Sequence, residues 1–303
     1  MVAVHSNHYA VCALLISFAK RTTEILKTLV VTPLKTSSPA YQVPSFIAAA
    51  AADIYAMESS LYALCANLDI PTQDSLIEAA VVAASIQQRT ADLISRSLLV
   101  VAEAEPMDQV PVALKALQAV KADATEVLRL TEPEETLRQT AAAFGVEDFG
   151  IAFQKQSFAE TMQKRTLRSV RVKERLPFPA SWKEVSAVED AIAAFGKAVE
   201  RVFVRNQAKL VHQHLLLSRL AQALGLIYLS TASLSRALDA EKKLLDTAPL
   251  EHQLARAFVS TAAEEARVLC AECVQTGKAA DEVYKRVAAD VCEGAFPTTN
   301  GGA

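Results

Sequence analysis

Residues 1 to 144 contain no glycine, and the 303-residue chain has only 8. Without glycine, left-handed turns, tight hairpins and phosphate-cradling loops are costly to build, so this half is read against β-rich and nucleotide-loop architectures. No run reaches the roughly 18 apolar residues that a spanning helix needs. Cysteine is sparse and odd in number: Cys12, Cys65, Cys270, Cys273 and Cys292. That excludes a secreted disulfide framework and favours a reducing compartment. Cys270 and Cys273 form a CxxC with no second pair or suitably spaced histidine, so they read as small apolar residues on one helix face rather than a redox or zinc motif. Charge of one sign is lacking too: 31 Lys and Arg stand against 34 Asp and Glu, a net charge of −3 with pI near 6.0. This leaves no footprint for nucleic acid. No acidic residue precedes Glu24, and the apolar stretch Tyr9 to Ala19 runs into Lys20 and Arg21. Such a start fits an uncleaved organelle signal and equally an ordinary core helix.

What is present is apolar and helical. Hydrophobic residues make up 51% of the chain, enough for a substantial core. The mean hydropathy of +0.20 points beyond that, to helix faces that meet another protein or a membrane surface. Apolar residues at three- and four-residue spacing predict helices over Tyr9 to Val31, Phe46 to Leu68, Asp74 to Ala102 and Val112 to Gly145, punctuated by Pro33, Pro39, Pro44, Pro71, Pro106 and Pro111. The second half gives a basic stretch, a proline-containing loop at Leu176 to Ser181, a long helix from Val185 to about Leu245, another from Leu250 to about Thr276, and a last one from Ala280 to Cys292. Leu210, Leu217, Leu220, Leu224, Ile227, Leu234 and Leu238 form a bundle seam along the longest. No strand-like alternation occurs. The expected class is all-α: a four- or five-helix bundle over 1–146 and a second long-helix bundle over 147–303.

From Tyr55 the chain reads Tyr55-x-x-Glu58-Ser59-x-x-Tyr62-x-x-x-Ala66-Asn67-x-Asp69, followed by Ile77-Glu78-Ala79-Ala80. This resembles the Y-x-x-E-S-x-x-Y-x-x-x-A-N-x-D and I-E-A-A signature of very-long-chain acyl-CoA dehydrogenases. Arg219-Leu220-Ala221, Leu226, Tyr228 and Leu234-Ser235-Arg236-Ala237 resemble the R-L-A, L-Y and L-S-R-A pattern of that subgroup's C-terminal extension. The resemblance covers nearly the whole chain but only the helical C-terminal portion of the family protein, without its N-terminal helical domain and middle β-domain.

In that family a glutamate removes an α-proton from an acyl-CoA while flavin takes the β-hydride. The base sits in an E-G-T-N-[DE]-I-L-R stretch. Aligned on Glu126-Val127-Leu128-Arg129, the base position falls on Ala122 and the following glycine on Asp123. Alanine cannot accept a proton. The other family position for the base, near the start of this portion's first helix, falls on His5 to Cys12, which holds no carboxylate. The glycine pair that lets backbone approach the flavin diphosphate is missing, and the R-x-Q-F-G segment falls near Leu34 to Ser38, which keeps none of it. The resemblance therefore implies a degenerate relative: no catalytic residue, no cofactor-binding residue, no cofactor and no metal.

Of the remaining candidates, His212 and His214 are two apart, roughly 200° around one helix, and His252 stands alone. Glu58 and Glu78 read as polar scaffold residues, and Tyr55, Tyr62 and Trp182 as core or interface anchors. The segment Lys155, Lys164, Arg165, Arg168, Arg171, Lys173 and Arg175 interleaves basic with apolar residues. It suits an anionic bilayer, as the family's attachment to the inner mitochondrial membrane implies, or equally a solvated face or a salt-bridged acidic subunit. A non-catalytic accessory subunit of an assembly on the matrix side of that membrane is the expectation. A respiratory-chain complex comes first, complex I by analogy with a member of the group that acts in its assembly. The alternative is a regulatory or stabilising partner of an acyl-CoA dehydrogenase paralogue in fatty-acid oxidation.

Overall fold

Nine α-helices build the described residues, and no strand occurs among them. The computed structural model describes residues 2–30, 42–68, 75–102, 110–155, 176–179, 181–275 and 279–293. In chain order the helices are α1 (Val2–Lys27), α2 (Gln42–Leu68), α3 (Leu76–Ala102), α4 (Val110–Leu128), α5 (Glu134–Lys155), α6 (Lys183–Asn206), α7 (His214–Lys242), α8 (Ala248–Gln275) and α9 (Ala279–Cys292). The all-α expectation holds.

The helix expected over Val112 to Gly145 is two helices. Pro133 lacks an amide hydrogen and cannot continue the α4 ladder, but its carbonyl accepts Leu137 N at 3.1 Å and opens α5. The helix expected from Val185 to Leu245 also breaks, at a 3₁₀ turn over Gln207–His212. There Asn206 turns its amide back onto Val202 O at 2.8 Å, and Leu210 is drawn into the core.

Helix α3 is the hub, packing against α1, α2, α4, α5 and α7. Helix α7 comes close to it along the face of Val81 and Ser85, and at Gly225 of α7 a Cβ would sit 2.3 Å from Ser85 Oγ and 3.2 Å from Val81 Cγ1. Only glycine admits that approach. Helices α7 and α8 form a hairpin, and α6 lies along α8. Val185, Val188, Ala191, Ala198 and Val202 give α6 a buried stripe, each valine contributing about 1.5–2 kcal/mol by its transfer from water. A single apolar cluster joins α1, α2, α3 and α5 to α6, α7 and α8, so it runs across position 146; a smaller one fills the space among α1, α2, α3 and α4.

Candidate functional site

The two stretches that carry the family resemblance lie far apart in sequence and meet in space. On α2, Tyr55, Glu58 and Tyr62 share a face because three- and four-residue steps return to one side of a helix. Arg236 of α7 lies over that face, its Cζ 4.5 Å from the Tyr55 ring centroid and 5.4 Å from that of Tyr62. Its Nη1 is 3.5 Å from Glu58 Oε2 and its Nε 3.4 Å from Glu251 Oε2 of α8. Tyr55 donates its hydroxyl to the same Glu251 Oε2 at 3.0 Å, while Ser59 donates to Tyr55 O at 2.7 Å. Lys20 of α1 closes the ring as a second cation on Glu58. Burial first, and then the Glu251 carboxylate, push the Tyr55 hydroxyl well above the usual phenol range. Glu58 holds two cations, and Glu251 accepts from Tyr55 and Thr247 and pairs with Arg236, so both carboxylates are committed to ties between helices. Tyr62, expected as an anchor, is 56% exposed and forms the outer edge of the stack.

A second charged group lines a cavity of about 210 Å³ among α2, α3, α7 and α8. Arg89 donates to Asp53 Oδ1 at 2.6 Å and lies 4.8 Å over the Phe258 ring. Burial raises the Asp53 pKa, and Arg89 offsets only part of that. A third tie joins Arg219, of the R-L-A stretch, to Asp281 of α9 through two hydrogen bonds of 2.8 and 3.2 Å. Those bonds hold Arg219 above its usual pKa against the effect of burial.

Ala122 sits exposed in the middle of α4, where a base would face solvent. A glycine-containing stretch suits the break between α4 and α5 better than a helix middle. Setting the Leu-Arg ending of the family stretch on Leu137-Arg138 places it there, with the base position on Thr131. Thr131 Oγ1 is buried without a hydrogen-bond partner, and Glu132, the next residue, is exposed. Neither register puts a carboxylate at the base position.

Lys155 ends α5, and Lys164, Arg165, Arg168, Arg171, Lys173 and Arg175 lie outside the described residues, as do Leu34 to Ser38. The 200° separation of His212 and His214 presumed one helix through both, whereas the 3₁₀ turn ends between them; both are exposed. No group of potential metal ligands occurs among the described residues. His252 is not alone: its ring stacks on Trp182 at 4.2 Å between centroids. Cys270 and Cys273 are buried, as two core residues should be, and burial lifts their thiols to about 11 and about 12.

Residues 182–295 match the family described as ACAD9/ACADV, C-terminal domain. No curated protein sequence matches the chain. Among solved structures, the fold is similar to that of an acyl-CoA dehydrogenase complexed with FAD from Bacillus anthracis, with a TM-score of 0.70 and 14% sequence identity over 94% of this chain and 51% of that one. The chain therefore spans about half the length of that relative. The described residues do not fit FAD. Gly145, Gly150 and Gly225 each have side chains nearest to their missing Cβ, Gly196 faces open space, and none forms a diphosphate cradle. The charged cavity and an apolar cleft of about 190 Å³ beside Phe149 and Phe195 both fall short of even the roughly 300 Å³ of a drug-sized site. By fold this chain is similar to an acyl-CoA dehydrogenase, and its residues 182–295 match the ACAD9/ACADV C-terminal domain.

Proposed function

We propose that the chain is a non-catalytic structural subunit, an accessory component of a mitochondrial inner-membrane assembly, with a respiratory-chain complex and complex I foremost. The observation that carries this reading is the fate of the inherited polar residues: Tyr55, Glu58, Arg219 and Arg236 all tie helices together. A protein selected for chemistry keeps a proton acceptor facing its substrate; one selected for shape keeps the residues that fix its helices. The apolar surplus supports a partner, since Leu99, Val112, Leu130, Phe144 and Ile151 are exposed on the first half of the chain.

Native-gel separation of detergent-solubilised mitochondria, with mass spectrometry of each band and a flavin absorbance scan, tests this. Migration with a large respiratory complex, with no flavin assignable to this chain, is the expected result. Migration in a small flavin-containing dimer moves the reading to a stabilising partner of an acyl-CoA dehydrogenase. Dehydrogenation of an acyl-CoA by the purified chain, lost on Glu132→Gln, overturns the non-catalytic reading.

A further inference from the structure

Among the described side chains of helix α9 one is buried: Asp281, 2% exposed, in the grip of Arg219. Every residue from Glu282 to Glu293 is exposed. Among them Val283, Val287 and Val291 recur at every fourth position, with Tyr284 beside them. A helix of 14 residues is marginal in water on its own, and β-branched valine weakens it further. These valines therefore do nothing for an isolated α9; they suit a helix that is covered.

At about 100° per residue, Val283 and Val291 lie about 40° to either side of Val287. Tyr284 stands about 60° to one side of the stripe, and Asp290 and Arg286 about 60° and 100° to the other. Neither Arg286 nor Asp290 has an ion-pair partner among the described residues, whereas Lys285 pairs with Glu282. The stripe thus has two properties at once. Its valines are spaced symmetrically about Val287, and the two charges on one flank are opposite in sign and unused.

We propose that α9 docks against α9 of a second copy of this chain, antiparallel, about a two-fold axis beside Val287. That axis sets Val287 against its own counterpart and Val283 against Val291 of the second copy, the packing of ridges formed by every fourth residue. In an antiparallel pair like flanks face each other. Asp290 comes level with Tyr284 of the second copy, which lies on the far flank, and on its own flank faces Arg286 of that copy about 3 Å along the axis, within reach of an ion pair. The symmetry supplies the pair twice. A parallel arrangement turns this flank toward the Ala288 side and leaves both charges unmatched. An anionic bilayer is the poorer occupant, because Glu282, Asp290 and Glu293 outnumber Lys285 and Arg286 over the exposed length.

Sedimentation velocity of the full chain under reducing conditions, over a wide concentration range, tests the proposal. Wild type is expected to dimerise reversibly. Val287→Glu and Arg286→Asp should each weaken the dimer by roughly tenfold or more, and the charge swap Arg286→Asp with Asp290→Arg should recover most of that loss. Circular dichroism of each variant checks that the body remains folded. A chain that stays monomeric throughout, a dimer that persists unchanged in both single variants, or a swap that fails to restore it overturns the proposal.

Discussion

Arg236 and Glu58 stand 3.5 Å apart, Nη1 to Oε2, yet that nitrogen makes no hydrogen bond and is buried. The contact is electrostatic, and its position between the rings of Tyr55 and Tyr62 comes from stacking. Arg236→Ala leaves Glu58 and Glu251 short of a cation in a partly desolvated place and should cost about 2–3 kcal/mol in urea unfolding. Arg236→Lys keeps the charge but loses the planar stack, so it should recover no more than half of that. A cost below about 0.5 kcal/mol for Arg236→Ala would mean that the cluster does not tie α2 to α7.

The α3–α7 crossing predicts a second effect. Gly225→Ala forces a methyl against Ser85 Oγ and Val81 Cγ1 and should destabilise by about 1–3 kcal/mol. Ser85→Ala removes the closer obstacle, so the double variant should be more stable than Gly225→Ala alone. Simple additivity would refute a direct clash.

Leu244, in the turn between α7 and α8, has φ 53° and is 87% exposed. A leucine there bears the left-handed backbone cost without burying its side chain. Leu244→Asn should stabilise the isolated chain by about 0.5 kcal/mol. A loss of stability instead would show that the leucine is covered in the folded protein.

The buried thiols give a pH dependence. Burial lifts Cys12 to about 12, Cys270 to about 11 and Cys273 to about 12. Unfolded thiols lose their protons near pH 8.5, so the folded state holds more protons above that pH. Their contribution is present in full below pH 8.5 and falls as pH rises toward 11–12, by up to about 1.4 kcal/mol per thiol per pH unit. Replacing all three by alanine should flatten the alkaline limb of the urea midpoint against pH. At pH 8, disulfide-exchange reagents should label exposed Cys65 and Cys292 in the native state and the other three only on unfolding. Fast native labelling of Cys270 or Cys273 would count against a structural CxxC.

Helices and their buried faces were legible because apolar spacing is a local property: of the seam residues on α7, Leu217, Leu220, Ile227 and Leu234 are buried and Leu224 and Leu238 partly so. The 3₁₀ turn was not, since Leu210 and Leu217 stay in phase across it and only the side chain of Asn206 marks the stop. The break at Pro133 before α5 was missed as well, because the apolar pattern that predicted one helix over Val112 to Gly145 carries on past that proline. Tyr55, Glu58 and Arg236 could be singled out by resemblance, yet their meeting depends on tertiary packing. Lys20, Glu251 and Asp281 gave no signal at all, because an isolated charge on an amphipathic helix looks the same whether it ends up solvated or paired.

Tyr55 and Glu251 are separated by 196 positions in the chain. At ribosomal speeds of about 5–20 residues per second, α2 emerges roughly 10–40 s before the helix that covers it. Until α7 begins to emerge, that face has only α1, α3 and α4 as neighbours. Chaperone capture of the half-made chain and the pace at which the ribosome reaches α8 are therefore expected to weigh on the yield of soluble protein alongside the stability of the finished fold.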